Sequence, residues 1–191
     1  MKIFLKKLSI AMLATAAMAG AAPTGASAAE LGPGTTSAAP WVDSPLSYEY
    51  DYSLGMSFFY DAEMVANGAD THFYDTFPFE EHCGSFGNLP PEHNPPFTCY
   101  LNVAGLMNPI AVTDRTPTSF TFKSLPGHVE GAGRYIRFTF HRTSTFDIRM
   151  HVESWGPWNF NAWSSINSGA VNGIWATYSN NLKNRITNGT L

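Results

Sequence analysis

The longest alternation of apolar and polar positions is SYEYDYSLGMSFFYD, residues 47 to 61. Even-numbered positions from Tyr48 to Tyr60 are apolar or aromatic, and odd-numbered positions up to Ser57 are polar or glycine. A period of two over this length predicts half-buried β structure, either one long strand or two strands bent at Gly55. Shorter strands are predicted at THFYDTF, FTCYLNVA, PIAVTD and SFTFKS.

A β-hairpin is predicted in GRYIRFTFHRTSTFDIRMHVESWG, where two alternating runs flank a polar turn. The apolar faces match if the turn is centred at Ser144 or one residue earlier. The earlier centre places Arg137 opposite Arg149, and like charges that face each other destabilise a sheet. The centre at Ser144 places His141 opposite Asp147 instead. We therefore predict a turn centred at Ser144.

The period changes to that of a helix in SSINSGAVNGIWATYSNNLKNRI, residues 164 to 186. Ser164 or Ser165 provides a cap for the first turn. Gly169 and Gly173 lie four residues apart on one side, and we expect them to allow close packing of the helix on its neighbours. Together these patterns predict an α+β fold, an antiparallel sheet of six or seven strands with a long C-terminal helix across its apolar face.

The N-terminus has the three parts of a secretory signal. Lys2, Lys6 and Lys7 precede an apolar run at residues 8 to 22, and Ala-Ser-Ala at residues 26 to 28 suits cleavage. This run is too short for a stop-transfer helix. We therefore expect residues 1–28 to be removed, residues 29–40 to form a flexible leader, and residues 41–191 to fold as a single secreted domain without an integral membrane segment.

The chain has two cysteines, Cys83 and Cys99. Two cysteines in an exported protein predict a disulfide bond. The bond would close a loop of about 17 residues and stabilise the fold by about 3 kcal/mol.

Charge is distributed unevenly along the chain. Residues 30 to 114 contain twelve Asp and Glu and no Lys or Arg, whereas residues 115 to 191 contain eight Lys and Arg and three acids. We expect strands from the two halves to alternate in one sheet, so that opposite charges meet across strands; an acidic face for cations or basic partners is the alternative. The net charge of −4 argues against nucleic acid as a ligand.

The segment LPGHVEG, residues 125 to 131, lies between two predicted strands. With the terminal hairpin and helix, it resembles the START and polyketide-cyclase-like superfamily of helix-grip proteins over residues 118 to 186. The resemblance implies a space between sheet and helix for a small apolar or aromatic ligand, and a continuous apolar cavity of several hundred Å³ beneath the helix would support this function. The walls of this space are expected to be formed by Tyr50, Tyr52, Phe120, Phe122, Phe138, Met150, Ile174 and Trp175. Two polar side chains, His128 and Glu130, are expected near its mouth.

Two other functions remain open at this stage. A secreted metal-dependent enzyme would use the acidic, histidine-containing region 70–93, although it contains no EF-hand loop and no HExxH motif. Its candidate ligands are Asp70, His72, Asp75, Glu80, Glu81, His82, Glu92 and His93. A surface or carbohydrate interaction module would use the turn Trp155-Gly156-Pro157-Trp158.

The loop SLPGHVEGAG itself has neither Walker nor dinucleotide-loop spacing, so its glycines are expected to supply positive φ angles. The sequence contains no catalytic nucleophile motif and no cofactor motif. We therefore predict no catalytic residue, cofactor or structural metal, and leave enzymatic activity and oligomeric state undecided.

Overall fold

The computed structural model describes residues 45–81, 83, 97–103 and 105–191. The expected signal, the leader and the start of the domain at Trp41 lie outside these residues. The strands are Leu46–Met56 (β1), Glu80–Glu81 (β2), Phe97–Val103 (β3), Leu106–Thr116 (β4), Ser119–Ser124 (β5), Tyr135–Arg142 (β6) and Asp147–Gly156 (β7). The helices are Ala62–Thr71 (α1), Phe73–Thr76 (α2), Phe160–Asn167 (α3) and Ala170–Asn188 (α4).

The seven strands form one antiparallel sheet in the order β1-β7-β6-β5-β4-β3-β2. The core lies between one face of this sheet and the helices, and α4 contributes five apolar or aromatic side chains to it. These are Val171, Trp175, Tyr178, Leu182 and Ile186. Their spacing of three or four residues places them on one side of α4. The predicted α+β fold with a C-terminal helix is confirmed.

The alternation in β1 changes at a β-bulge. The register against β7 shifts between Ser53 and Gly55, and Gly55 has a φ of +100°. The extra residue reverses the faces beyond it, because side chains alternate with a period of two. Met56 is therefore exposed, at 73%. The strand ends there, so the predicted alternation does not continue through Phe58, which is exposed, whereas Tyr60 packs against the core again.

The predicted strand at THFYDTF is helical. Asp61 caps α1 by accepting a hydrogen bond from the backbone N–H of Met64 at 2.8 Å. The chain turns again at His72 into the single turn of α2, which buries Phe73 among core rings. The aromatic spacing of this segment predicts a strand. In the structure, Phe73 reaches the core from the short helix α2 and Phe77 from the residue after it.

The β6–β7 hairpin is centred one residue later than predicted. Arg137 lies opposite Glu153, and their side chains form an ion pair at 3.2 Å. The turn contains Phe146 in the left-handed region, with a φ of +63°. Phe146 therefore belongs to the turn, where it is exposed, and the apolar alternation of β7 begins at Ile148. The prediction had counted Phe146 as a strand residue, which moved the turn centre to Ser144.

The C-terminal helical segment consists of two helices separated at Ser168 and Gly169. Asn159 caps α3, and Gly169 precedes α4 with a φ of +76°. The predicted caps at Ser164 and Ser165 instead lie inside α3. A Cβ atom built on Gly169 or Gly173 has no other atom within 4 Å, so neither glycine serves close packing.

The strands of the two halves do not alternate as expected, because β5 to β7 are neighbours and β2 to β4 are neighbours. Among the described residues, opposite charges of the two halves still meet at three ion pairs, one of them between neighbouring strands. Arg149 on β7 bonds Asp51 on β1 at 3.1 Å, because these strands are neighbours. Arg185 on α4 bonds Asp75 at 2.9 Å. A helix with the length and apolar character needed to cross a membrane is not found in the described part of the chain.

Candidate functional site: a polar cluster beside an aromatic cavity

The loop between β5 and β6 folds back onto its own ends. Ser124 Oγ donates to the Gly131 carbonyl at 2.7 Å and accepts from the Arg134 N–H at 2.9 Å. Gly127, Gly131 and Gly133 all have φ between +82° and +100°, a region that side chains with a Cβ rarely adopt. The expected structural role of these glycines is confirmed. The closed loop holds the side chains that follow it in a defined position.

Arg134 is the central residue of the site and is only 2% exposed. Its Nη1 donates to the Pro157 carbonyl at 2.9 Å, and its Nη2 donates to the Leu46 carbonyl at 3.1 Å and to Ser154 Oγ at 3.3 Å. Its Nε has no hydrogen-bond acceptor among the described residues and lies 3.9 Å from Glu130 Oε2. One N–H of a buried guanidinium is thus paired only by a long ionic contact.

Burial controls the protonation of both neighbours of Arg134. It raises the pKa of Glu130 above its ordinary value, and the charge of Arg134 opposes this shift. Burial and the Arg134 charge together lower the pKa of His128 to about 4. His128 is therefore neutral at neutral pH, and its Nδ1 accepts a hydrogen bond from the Glu130 N–H at 3.2 Å.

A tyrosine and a tryptophan connect this cluster to α4. Trp175 Nε1 donates to the Tyr48 hydroxyl at 3.1 Å. Burial, with the nearby charge of Glu130, raises the pKa of the Tyr48 hydroxyl, so this group stays protonated. This hydrogen bond fixes the position of the Trp175 ring on α4 relative to β1.

A cavity of about 30 Å³ lies beside the cluster. Its walls are mostly apolar and aromatic, with polar side chains on one side. They are formed by Phe77, Leu101, Ile110, Phe122, Ser124, His128, Glu130, Arg134, Ile136 and Trp175. This space accommodates about two water molecules, since one water needs roughly 10–15 Å³ measured in this way. The expected cavity of several hundred Å³ is therefore filled by side chains here.

The ten predicted ligand-contact residues fall into three groups. Phe122, His128, Glu130 and Trp175 line the cavity. Phe120, Phe138 and Met150 are buried in the core beside it, each at most 1% exposed. Tyr50, Tyr52 and Ile174 are partly buried and pack against the edge of the core.

Two site residues, Arg134 and Tyr48, are absent from the predicted set, although both follow the strand alternation. Arg134 has the same parity as Phe138 and Phe140, so extending the pattern of β6 backwards places it on the buried face. Tyr48 shares the buried side of β1 with Tyr50 in the same way. The signal for Arg134 is an arginine at a position that the alternation predicts to be buried.

Three carboxylates in the described part of the acidic region already have partners within the protein. Asp70 is 1% exposed and lies 3.3 Å from Arg115, and Asp75 bonds Arg185. Glu80 accepts a hydrogen bond from Asn102 at 3.0 Å. Among the residues that the structure describes, no three His, Cys, Asp or Glu side chains meet in a group that could hold a metal. His82, Glu92 and His93 lie outside the described residues.

The tryptophans of the predicted surface module occupy different environments. Trp155 stacks on Tyr135 with their planes 9° apart, and Arg137 lies 5.2 Å from the Trp155 ring centroid. Trp158 is 37% exposed, and Trp163 is 43% exposed on α3. The two ends of the Trp-Gly-Pro-Trp turn therefore do not form one continuous platform.

A second, open groove of about 640 Å³ lies between the end of β1 and the end of α4. Exposed side chains of Met56, Phe58 and Phe59 form one side, and Ile186 contributes to the other. None of the residues that line this groove carries a charge. The groove is therefore distinct in chemistry from the polar cluster at Arg134.

Several solved structures, including the following three, share this fold with TM-scores above 0.5. A START superfamily protein from Mycobacterium smegmatis is 12% identical, with a TM-score of 0.52 over 74% of this chain and 97% of that chain. A norcoclaurine synthase mutant from Thalictrum flavum, in complex with a transition-state analogue, is 10% identical, with a TM-score of 0.54 over 78% of this chain and 99% of that chain.

The third is the protein XoxI from Bacillus cereus, which is 10% identical, with a TM-score of 0.51 over 75% of this chain and 95% of that chain. No protein-family model and no curated protein matches this sequence. The likeness lies in the arrangement of sheet and helices, and it confirms the expected resemblance to START-like helix-grip proteins.

Proposed function

We propose that this protein is secreted and binds a small apolar or aromatic molecule between the sheet and α4. The observation that carries the proposal is the buried cluster of Arg134, Glu130 and His128 beside an aromatic cavity. A buried charge is costly unless it is fully paired, and a fold that needed only a packed core would be as stable with apolar residues there.

The fold supports the same proposal. A norcoclaurine synthase of similar fold forms a complex with a transition-state analogue, and the cavity of this chain lies between its sheet and its C-terminal helix. An organic ligand needs more than 30 Å³, so binding requires side chains of the cavity wall to move. Phe77 is the candidate for this movement, because its ring lines the cavity beside the Trp175 ring, which is held by its hydrogen bond to Tyr48.

Native mass spectrometry of protein from an exporting host tests both parts of the proposal. We expect a mature chain that begins at Ala29, with an additional small-molecule mass that is lost on denaturation. A chain that still begins at Met1 would contradict secretion. Secretion is supported by the signal-like residues 1–28 and by the disulfide between Cys83 and Cys99, a bond typical of exported proteins.

A binding experiment locates the site. The neutral probe 4-phenylbutan-1-ol should bind the wild-type protein in calorimetry, and Ile136→Phe should weaken binding at least about tenfold because the larger ring occupies the cavity. Phe59→Ser, in the open groove, is the matched control and should bind normally. If the groove variant loses binding and Ile136→Phe does not, the ligand lies in the groove and the proposed site is wrong.

A further inference from the structure

Charged and titratable side chains around the cavity define what its polar side can accept. Arg134 is permanently cationic. Tyr48, from β1, and His128 are neutral at neutral pH because burial disfavours their charged forms. Glu130 is the single acid among the described lining residues, and α4 contributes the uncharged Trp175. The cluster therefore has a net charge of zero or +1, depending on whether Glu130 is ionised.

Three of the five N–H groups of Arg134 make hydrogen bonds within the protein, and Nε is the one guanidinium nitrogen that has no acceptor among the described residues. Its two Nη atoms are held by Pro157, Leu46 and Ser154, whereas Nε–H has only Glu130 at 3.9 Å. Charge-assisted hydrogen bonds of this kind are about 2.7–2.9 Å long. Glu130 is thus a loose counter-ion, and a better placed oxyanion would gain a full hydrogen bond to the guanidinium.

From this arrangement we propose that the ligand carries a carboxylate, which accepts the Arg134 Nε–H and takes the place of Glu130 as its counter-ion. The inference rests on the proposed function and specifies its ligand class. A primary amine is disfavoured because its positive charge would lie beside the Arg134 cation. A neutral alcohol gives this cation no anionic partner.

Binding of a carboxylate also changes the protonation of Glu130. Two carboxylates that share one buried site do not both ionise readily. Burial raises the pKa of Glu130, so Glu130, ionised as the counter-ion of Arg134 in the free protein, takes one proton from solvent when the ligand binds and donates its O–H to the ligand carboxylate. The charge balance is one ligand anion and one proton bound together, next to an arginine that remains cationic.

Three probes that differ only in their polar end test the inference on the wild-type protein. They are 4-phenylbutyrate, 4-phenylbutan-1-ol and 4-phenylbutylamine, compared by calorimetry at neutral pH. We expect the acid to bind at least about tenfold more tightly than the alcohol, a difference of about 1.4 kcal/mol, and the amine to bind least. The affinity for the acid should fall as the pH rises, with one proton taken up in buffers of different ionisation heat.

Glu130→Gln provides the second measurement and removes one charge without removing the side chain. Its amide donates a hydrogen bond without first taking up a proton, so 4-phenylbutyrate should bind this variant more tightly and without proton uptake. The alcohol is the comparison ligand on the same variant, and the ratio of the acid affinity to the alcohol affinity should be higher than in the wild-type protein. This variant is preferable to any change at Arg134, whose hydrogen bonds to Leu46 on β1 and Ser154 on β7 connect these strands.

The outcomes separate the inference from the proposed function. If the alcohol binds as tightly as the acid, or the amine binds best, the carboxylate inference is overturned while binding in the cavity stands. If Glu130→Gln weakens binding of the acid, the displacement of Glu130 is wrong. If neither the acid nor the alcohol binds, the proposed function and the inference are overturned together.

Discussion

His128 shows how the environment of one side chain changes its chemistry. Its Nδ1 accepts the Glu130 N–H, so the proton of the neutral ring is on Nε2. Protonation of Nδ1 would break this hydrogen bond and add a second positive charge beside Arg134. The side chain is mostly buried, so water compensates little for the broken hydrogen bond or for the repulsion between the two positive charges.

This arrangement predicts a loss of stability in acid. The pKa of His128 is about 4 in the folded protein, against 6.5 as its ordinary value. The unfolded chain therefore binds more protons between these values, and the stabilisation present above pH 6.5 is lost as the pH falls towards 4. The contribution of His128 is at most about 3 kcal/mol. Urea unfolding at a series of pH values measures it.

His128→Asn is the matched variant for this measurement. The Asn side-chain oxygen can accept the same Glu130 N–H, but the group does not titrate. Burial raises the pKa of Glu130 and so acts in the opposite direction as the pH falls, but this contribution is present in both proteins. The difference between their curves isolates His128, and parallel curves would show that its pKa is not lowered.

At the scale of elements, the two glycines at the start of α4 have different roles. Gly169 has a φ of +76° immediately before the helix, a conformation that side chains with a Cβ rarely adopt. Gly173 lies inside the helix with open space around its Cβ position. The first glycine is required by the backbone, and the second only lowers helix propensity.

Alanine substitutions distinguish these two roles. Gly173→Ala should raise the free energy of unfolding by about 0.5–1 kcal/mol, because alanine restricts the unfolded chain and fits the helix. Gly169→Ala should lower it by about 1 kcal/mol, because of the left-handed backbone. Chemical denaturation of both variants tests the pair. A loss of stability in Gly173→Ala would mean that α4 packs against something at that position.

Registers and bends were the least predictable features of the elements. The period of two in β1 and β6 identified both strands and their buried faces. It did not indicate that Gly55 forms a bulge or that Phe146 belongs to a turn, because the local pattern is the same in either case. Pairing with β7 decided both. The β1–β7 register shifts between Ser53 and Gly55, and the β6–β7 register places Glu153 opposite Arg137.

At the scale of the whole molecule, the Cys83–Cys99 disulfide links the segment after β2 to β3. It closes a loop with a sequence separation of 16. A covalent link of this length reduces the entropy of the unfolded chain and stabilises the native state by about 3 kcal/mol. Its removal should therefore weaken the edge of the sheet that ends in β2.

The double variant Cys83→Ala, Cys99→Ala should lose about 3 kcal/mol of unfolding free energy in urea. Reductant should destabilise the wild-type protein by a similar amount and leave the double variant unchanged. If reductant destabilises both proteins equally, the effect does not come from this bond. A loss below about 1 kcal/mol would indicate that the segments are held mainly by other contacts.

The sequence by itself determined the fold class, the disulfide pair and the meeting of opposite charges, because these follow from periodicity, cysteine number and composition. Only the tertiary structure brought Arg134, Glu130 and His128 beside Trp175, which is far away in sequence. It also decided that side chains reduce the expected cavity to about 30 Å³. Local patterns specify which face of an element is apolar, whereas the volume left between two faces depends on how all their side chains pack together.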